Sequence, residues 1–241
     1  MSAAFQRFRY SFFEDPTSAR DGLDTPALTA LEGDERRHAE IMLLGFLPDA
    51  RAVIGLGVLR SRAAEPKLAA LFEAERKQQI AARQDARMQP GGSDEWHPSA
   101  LFYLAHALWR IEPDSRWPQA AIEVLSSAPH WVFRQEAVQA LQDVSEPAAV
   151  QALIHALDDT EPLVRHAAAR GLLTLYGLPA DPADPQAMAI RVMSSDAARH
   201  DHARQEILAA IAGRTAVERL RHSDSRGAAL LRAFLHTVSG D

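Results

Sequence analysis

Residues 146–173 read EPAAVQALIHALDDTEPLVRHAAARGLL, and the pattern within this stretch sets the architecture. Apolar residues recur at helical spacing through Glu146–Leu157, the cluster Asp158-Asp159-Thr160-Glu161-Pro162 interrupts them, and the periodicity resumes at Val164. Asp and Thr are capping residues, and a proline in a first helical turn loses no needed donor. The stretch therefore predicts two helices joined by a tight turn, with Thr160 capping the second. A hairpin of about 30 residues cannot bury its own apolar face and must stack on others.

Self-similarity supports the stack. Ala50–Leu59 (ARAVIGLGVL), Phe133–Gln142 (FRQEAVQALQ) and Val164–Leu173 (VRHAAARGLL) align without gaps, and Ala203–Ile211 (ARQEILAAI) adds a fourth copy. Arg51, Arg134, Arg165 and Arg204 then form one column, with Val138/Leu141 and Ala169/Leu172 in register behind two of them as a buried stripe. Working outward, hairpins are predicted for Trp117–Ala128 with His130–Asp143, for Asp184–Ser194 with Asp196–Gly213, and for Pro26–Leu47 with Asp49–Arg60. Between them lies an irregular unit: a polar helix over Glu65–Gln89, a break at Pro90-Gly91-Gly92-Ser93, and an apolar helix over Pro98–Ile111. No stretch alternates in the manner of a strand.

The turn-and-helix Asp158-Asp159-x-x-Pro162-x-Val164-Arg165-x-Ala167-Ala168, with its echoes at Arg51, Arg134 and Arg204, resembles the HEAT repeat, in particular the short bacterial HEAT-like repeats of bilin-attaching lyases. The resemblance is strongest over 146–177, fair over 26–62 and 115–145, and weak over 63–112 and beyond 183. It implies an all-α fold, a right-handed α-solenoid of about five stacked hairpins whose second helices line a concave, partner-binding side. The expected layout is one solenoid over 1–241: an aromatic N-terminal cap (1–25), a first hairpin (26–62), the irregular hairpin (63–112), three hairpins (115–213) and a capping helix (214–241). A fold of this kind does not imply a reaction.

Composition narrows the function. The 241 residues carry 26 Lys and Arg against 32 Asp and Glu, a net charge of −6, which argues against a life on phosphate backbones. Cysteine is absent, excluding disulfides, thiolate metal sites and cysteine nucleophiles. No apolar run is long enough to span a membrane, and Met1–Tyr10 lacks a signal-peptide pattern, so the expected location is cytoplasmic.

The polar positions of the second helices form the predicted partner-binding strip. Five places after the arginine column lie Leu56, Gln139, Arg170 and Ala209, and His106 is taken as the equivalent position in the apolar helix of the irregular unit; His106, Gln139 and Arg170 are the polar ones. Gln135 with Gln139, and His166 with Arg170, share helix faces at i, i+4, and Trp131 begins its helix at an expected exposed edge. A plain solvated face has the same look. The column arginines are expected to be structural, bonding turn carbonyls or pairing with Asp49, Asp158, Asp159 or Asp196.

Other chemistry is weakly signalled. Trp96, Trp109, Trp117 and Trp131 cluster in sequence and could anchor a partner, stack bases or fill a wide joint. His200 and His202 are a meagre metal pair, and the repeated His-Glu dipeptides of HEAT-type di-iron hydroxylases are missing. Gly55-Leu56-Gly57 follows no strand, so close helix packing explains it better than a phosphate loop. The reading is thus a non-enzymatic module without cofactor or metal that binds a protein, basic by charge complementarity, as an adaptor or toxin-neutralising immunity protein. A HEAT-like DNA glycosylase, favoured by the tryptophans and opposed by the charge, and a bilin-lyase-like protein are the alternatives.

Overall fold

The computed structural model describes residues 1–14, 22–88, 99–179 and 187–222, with backbone alone for 82–88 and 216–222. Among the described residues there are helices and no strands: α1 (Ala3–Arg9) followed by a π-helical turn (Tyr10–Glu14), α2 (Thr25–Thr29), α3 (Gly33–Gly45), α4 (Ala50–Val58), α5 (Glu65–Met88), α6 (Ser99–Ile111), α7 (Arg116–Ser127), α8 (Trp131–Leu141), α9 (Pro147–Ala156), α10 (Pro162–Leu175), α11 (Met188–Arg191) and α12 (Ala197–His222). The fold is all-α and HEAT-like, helices packing on near neighbours in the chain. It forms two compact units, residues 1–149 and 150–241.

In the first unit α1 begins under Ser2, whose hydroxyl accepts the Phe5 N–H at 3.1 Å. Phe5, Phe8 and the π-turn's Phe12 then drop into a core with Leu28, Leu31, Ala39 and Leu43. Each fully buried large apolar side chain contributes about 1.5–3 kcal/mol, so these aromatic residues attach the segment firmly. The helix expected over Pro26–Leu47 is instead two, α2 and α3. Leu31 is buried at the break, and Gly33 takes φ +52°, a left-handed conformation that does not continue a right-handed helix.

α4 is capped by Asp49, which accepts the N–H groups of Arg51 (2.8 Å) and Ala52 (3.3 Å). Its two glycines are packing devices. A Cβ on Gly57 would lie 2.8 Å from Ala107 Cα, so the α6 backbone approaches α4 too closely for any side chain, whereas one on Gly55 would lie 2.8 Å from Leu43 Cδ1 and require that side chain to shift. α6 buries Leu101, Phe102, Leu104, Ala105, Ala107, Leu108 and Ile111 and packs against α4, α5, α7 and α8 at the centre of the unit. The Pro90-Gly91-Gly92-Ser93 break and Trp96 lie outside the described residues.

The second unit departs from expectation in three places. Glu161, not Thr160, is the N-cap of α10, and its own N–H is taken by Asp159 Oδ1 at 2.8 Å. The helix expected over Asp184–Ser194 is reduced, among the described residues, to the single turn of α11. α12 runs through Gly213 to His222, so 214–222 continue it rather than open a separate cap. Arg226 and Arg232 of the expected capping helix lie outside the described residues, and the side chains of Arg219 and Arg221 are among those not described. α10 ends with Gly177 at φ +63°, its N–H bonded to Thr174 O and that of Leu178 to Leu173 O, which satisfies the last carbonyls of the helix. No helix among the described residues is long and apolar enough to cross a membrane.

Candidate functional site

The arginine column is built into turns. Arg165 is 8% exposed and its guanidinium reaches five carbonyls: Val192 O (2.9 Å), Asp159 O (2.8 Å), Thr160 O (3.3 Å), Met193 O (3.0 Å) and Ser194 O (3.1 Å). One cation thereby ties the turn before α10 to the turn before α12. Arg134 donates to Ala128 O at 2.9 Å and Pro129 O at 3.0 Å. Arg51 reaches Phe12 O at 3.3 Å, stands 4.9 Å over the Phe12 ring and pairs with Asp49. Arg204 Nε lies 2.9 Å from Asp158 Oδ2. Asp196 serves otherwise, accepting the Arg199 N–H in the first turn of α12.

Burial by itself would raise the carboxyl of Asp49, but the side chain of Arg51 and the N–H groups of Arg51 and Ala52 outweigh it and hold the group below its usual value.

The strip residues divide between the units. In the first, Gln139 is exposed and Trp131 and Gln135 are half-buried along α8. Trp131 stacks beside His130, ring centroids 6.5 Å apart at 21°. His106, on α6, is committed elsewhere: its Nε2 lies 2.5 Å from Asp143 Oδ1 while Arg110 approaches Asp143 Oδ2 at 3.7 Å. Burial pushes Asp143 up, yet the hydrogen bond and charge of His106 and the charge of Arg110 prevail, and the carboxyl sits below its ordinary range. The contact spans 37 residues of sequence, so no local pattern announces it. In the second unit Arg170 is exposed and His166 half-buried on α10. Burial, then the charge of Arg170, lowers the pKa of His166, whose Nε2 has no hydrogen-bond partner. Both effects favour the neutral ring.

The tryptophans do not act as a set. Trp117 is 3% exposed and meets Phe72 edge-on at 5.2 Å, and Trp109 packs partly buried against the same core. Among the three described tryptophans that leaves Trp131 on the strip, and the base-stacking argument loses Trp117. His200 Nε2 donates to Leu157 O at 2.8 Å, while His202 Nε2 lies 3.6 Å from Glu206. Each histidine has its own structural contact.

A family model described as HEAT repeats matches residues 118–212, from the second residue pair of α7 into α12. Residues 118–212 belong to the HEAT-repeat family. The HEAT match takes in α8 and α10 with Arg134, Arg165 and Arg204, together with Trp131, Gln135, Gln139, His166 and Arg170. The resemblance noted at 26–62 lies outside the matched HEAT segment. No curated protein and no solved structure matches the chain significantly.

One further feature was readable as a surplus of apolar residues. Ile41–Leu47 (IMLLGFL) is almost wholly apolar, yet Leu43 alone of these seven is buried. Ile41 is 62% and Phe46 49% exposed. On one side of α3 lies a groove of about 490 Å³ lined by Met1, Phe5, Arg9, Glu35, His38 and Met42. On the other lies one of about 400 Å³ lined by Leu44, Leu47, Pro48, Lys67, Ala70 and Leu71.

Proposed function

We propose that the chain is a non-enzymatic binding module that holds a protein partner on the polar faces of its HEAT second helices. HEAT repeats generally mediate protein–protein interaction, and scaffolds of this family are typically non-catalytic. The observation that carries the reading is that α8 and α10, inside the matched segment, each bury one face and leave the opposite one available, with Gln139 and Arg170 exposed. Trp131 and Gln135 lie on α8 with Gln139, and His166 lies on α10 with Arg170; His106, engaged by Asp143, is the weakest member of the proposed strip. A tryptophan is a favoured interface anchor, and on the first unit the amides of Gln135 and Gln139 supply polar groups along the same helix, while the second unit offers Arg170 and His166 by itself. The net charge of −6 favours a basic partner. The role that fits is a cytoplasmic adaptor or a protein that neutralises a toxin by one-to-one binding.

Capture of interacting proteins from a native extract by the purified full chain, followed by mass spectrometry, tests this. A stoichiometric protein whose affinity falls at least about tenfold on Trp131→Ala with Gln139→Ala supports it. Retention of the partner at full affinity by a folded double variant moves the site elsewhere, and capture of nucleic acid alone refutes the reading.

A further inference from the structure

We infer that the face built on α3 is a contact surface for a second copy of this chain. An outer helix face stays soluble alone when it is polar; here the polar first half of α3 (Asp34, Arg36, Arg37, His38) gives way to an apolar patch at Ile41, Leu44, Phe46 and Leu47. Among the described residues, five of the eight exposed large apolar side chains, Met1, Tyr10, Phe13, Ile41 and Phe46, fall within residues 1–46.

The order across the surface is α1, groove, α3, groove, α5. α3 thus stands as a ridge between two troughs, the relief into which another helix packs. At 100° per residue, Ala39 and Leu43 point inward, and Asp34, Arg37, Ile41 and Gly45 form the crest. A side chain on Gly45 would meet nothing within 4 Å. The crest therefore carries a knob, Ile41, one turn before a hole, Gly45. A two-fold axis crossing α3 between them seats Ile41 of each copy over Gly45 of the other, the self-complementarity that an isologous dimer requires.

Charge completes the match. Lys67 is one of the two lysines in the chain and the single charged residue lining the groove between α3 and α5. Glu40 lies one turn before Leu44 on that flank of α3. Among the described residues neither Lys67 nor Glu40 has an ion-pair or hydrogen-bond partner. Antiparallel crossing brings Glu40 of one copy toward Lys67 of the other, twice by symmetry. The face measures about 20 Å along α3 and about 30 Å across the three helices, on the order of the roughly 800 Å² per partner that a stable interface uses.

Sedimentation equilibrium of the full chain over a concentration series tests the inference. The mass should rise from 26.5 kDa toward twice that value. Ile41→Asp, at an exposed position, should weaken association at least about tenfold with helicity unchanged, and Lys67→Glu about tenfold. Combining Lys67→Glu with Glu40→Lys should restore it to within about threefold. A monomer at every concentration up to about 200 µM, or a dimer indifferent to Ile41→Asp, overturns the proposal. A charge swap that fails to restore a dimer weakened by Lys67→Glu removes the Lys67–Glu40 arrangement. If Ile41→Asp fails to fold, Lys67→Glu still decides.

Discussion

Arg134 and Arg165 hold the same place in successive repeats, each the fourth residue of its helix, yet they do different amounts of structural work. Arg134 is half-buried and donates to Ala128 and Pro129, carbonyls of its own turn. Arg165 is buried and joins two carbonyls of its own turn to three of the turn at 192–194. The comparison teaches that the repeat position dictates the chemistry, a guanidinium aimed at turn carbonyls, while the neighbouring turn dictates how much stability follows. A buried cation with five acceptors leaves five desolvated carbonyls behind when it is removed. A half-exposed one leaves groups that water can reach.

The sharpest way to break this comparison is to truncate both. Arg165→Ala should cost about 2–4 kcal/mol in urea unfolding and Arg134→Ala about 1 kcal/mol. Equal losses would mean that the bonds to 192–194 contribute nothing. Next in size is a contrast of glycines between the units. Gly57→Ala forces a methyl to 2.8 Å from the Ala107 backbone and should destabilise by about 1–3 kcal/mol. Gly213→Ala, in the continuous α12 with open space around it, should stabilise by about 0.5–1 kcal/mol. Thermal melts of the two variants should therefore move in opposite directions, and a stabilising Gly57→Ala would refute the close approach of α4 and α6.

The smallest effects are in the pH dependence, and they also separate the units. The folded pKa of His166 is lowered, so the unfolded chain takes up that proton first. Stability should fall as pH drops through about 6.5, and His166→Gln should flatten the curve there. Asp143 is also lowered, by His106 and Arg110 against burial. Its contribution is complete above the unfolded value of about 3.9 and is lost as pH falls through the lower folded value, so Asp143→Asn should flatten only the strongly acid limb. At neutral pH that substitution should cost below about 1 kcal/mol, because the pair is half exposed. Urea midpoints between pH 3 and 8 for wild type and both variants check the signs. A His166→Gln curve as steep as wild type between pH 7 and 5 would contradict the neutral ring.

The helices from α7 to α10 were legible because each rule involved is local: a period of 3.6 residues, an acidic turn, a proline in the first turn and an arginine recurring after 31 residues. The break between α2 and α3 was not, since Gly33 can sit inside a helix or end one, and the burial of Leu31 decides which. Gly213 shows the converse, a glycine that α12 passes through. Within the candidate strip, the faces of Gln135/Gln139 and His166/Arg170 follow from spacing within one helix.

By itself, then, the sequence determined an all-α chain of HEAT-like hairpins, the turn-binding role open to its arginines, and the absence of cysteine chemistry. These depend on contacts within one or two turns of the chain. The tertiary structure decided that Arg165 is enclosed where Arg134 is not, that His106 is held by Asp143, that Trp117 is core, and that Ile41 crowns an uncovered ridge. Each of these depends on which distant backbone or side chain arrives beside the residue. Packing geometry supplies that information, and periodicity along the chain does not carry it.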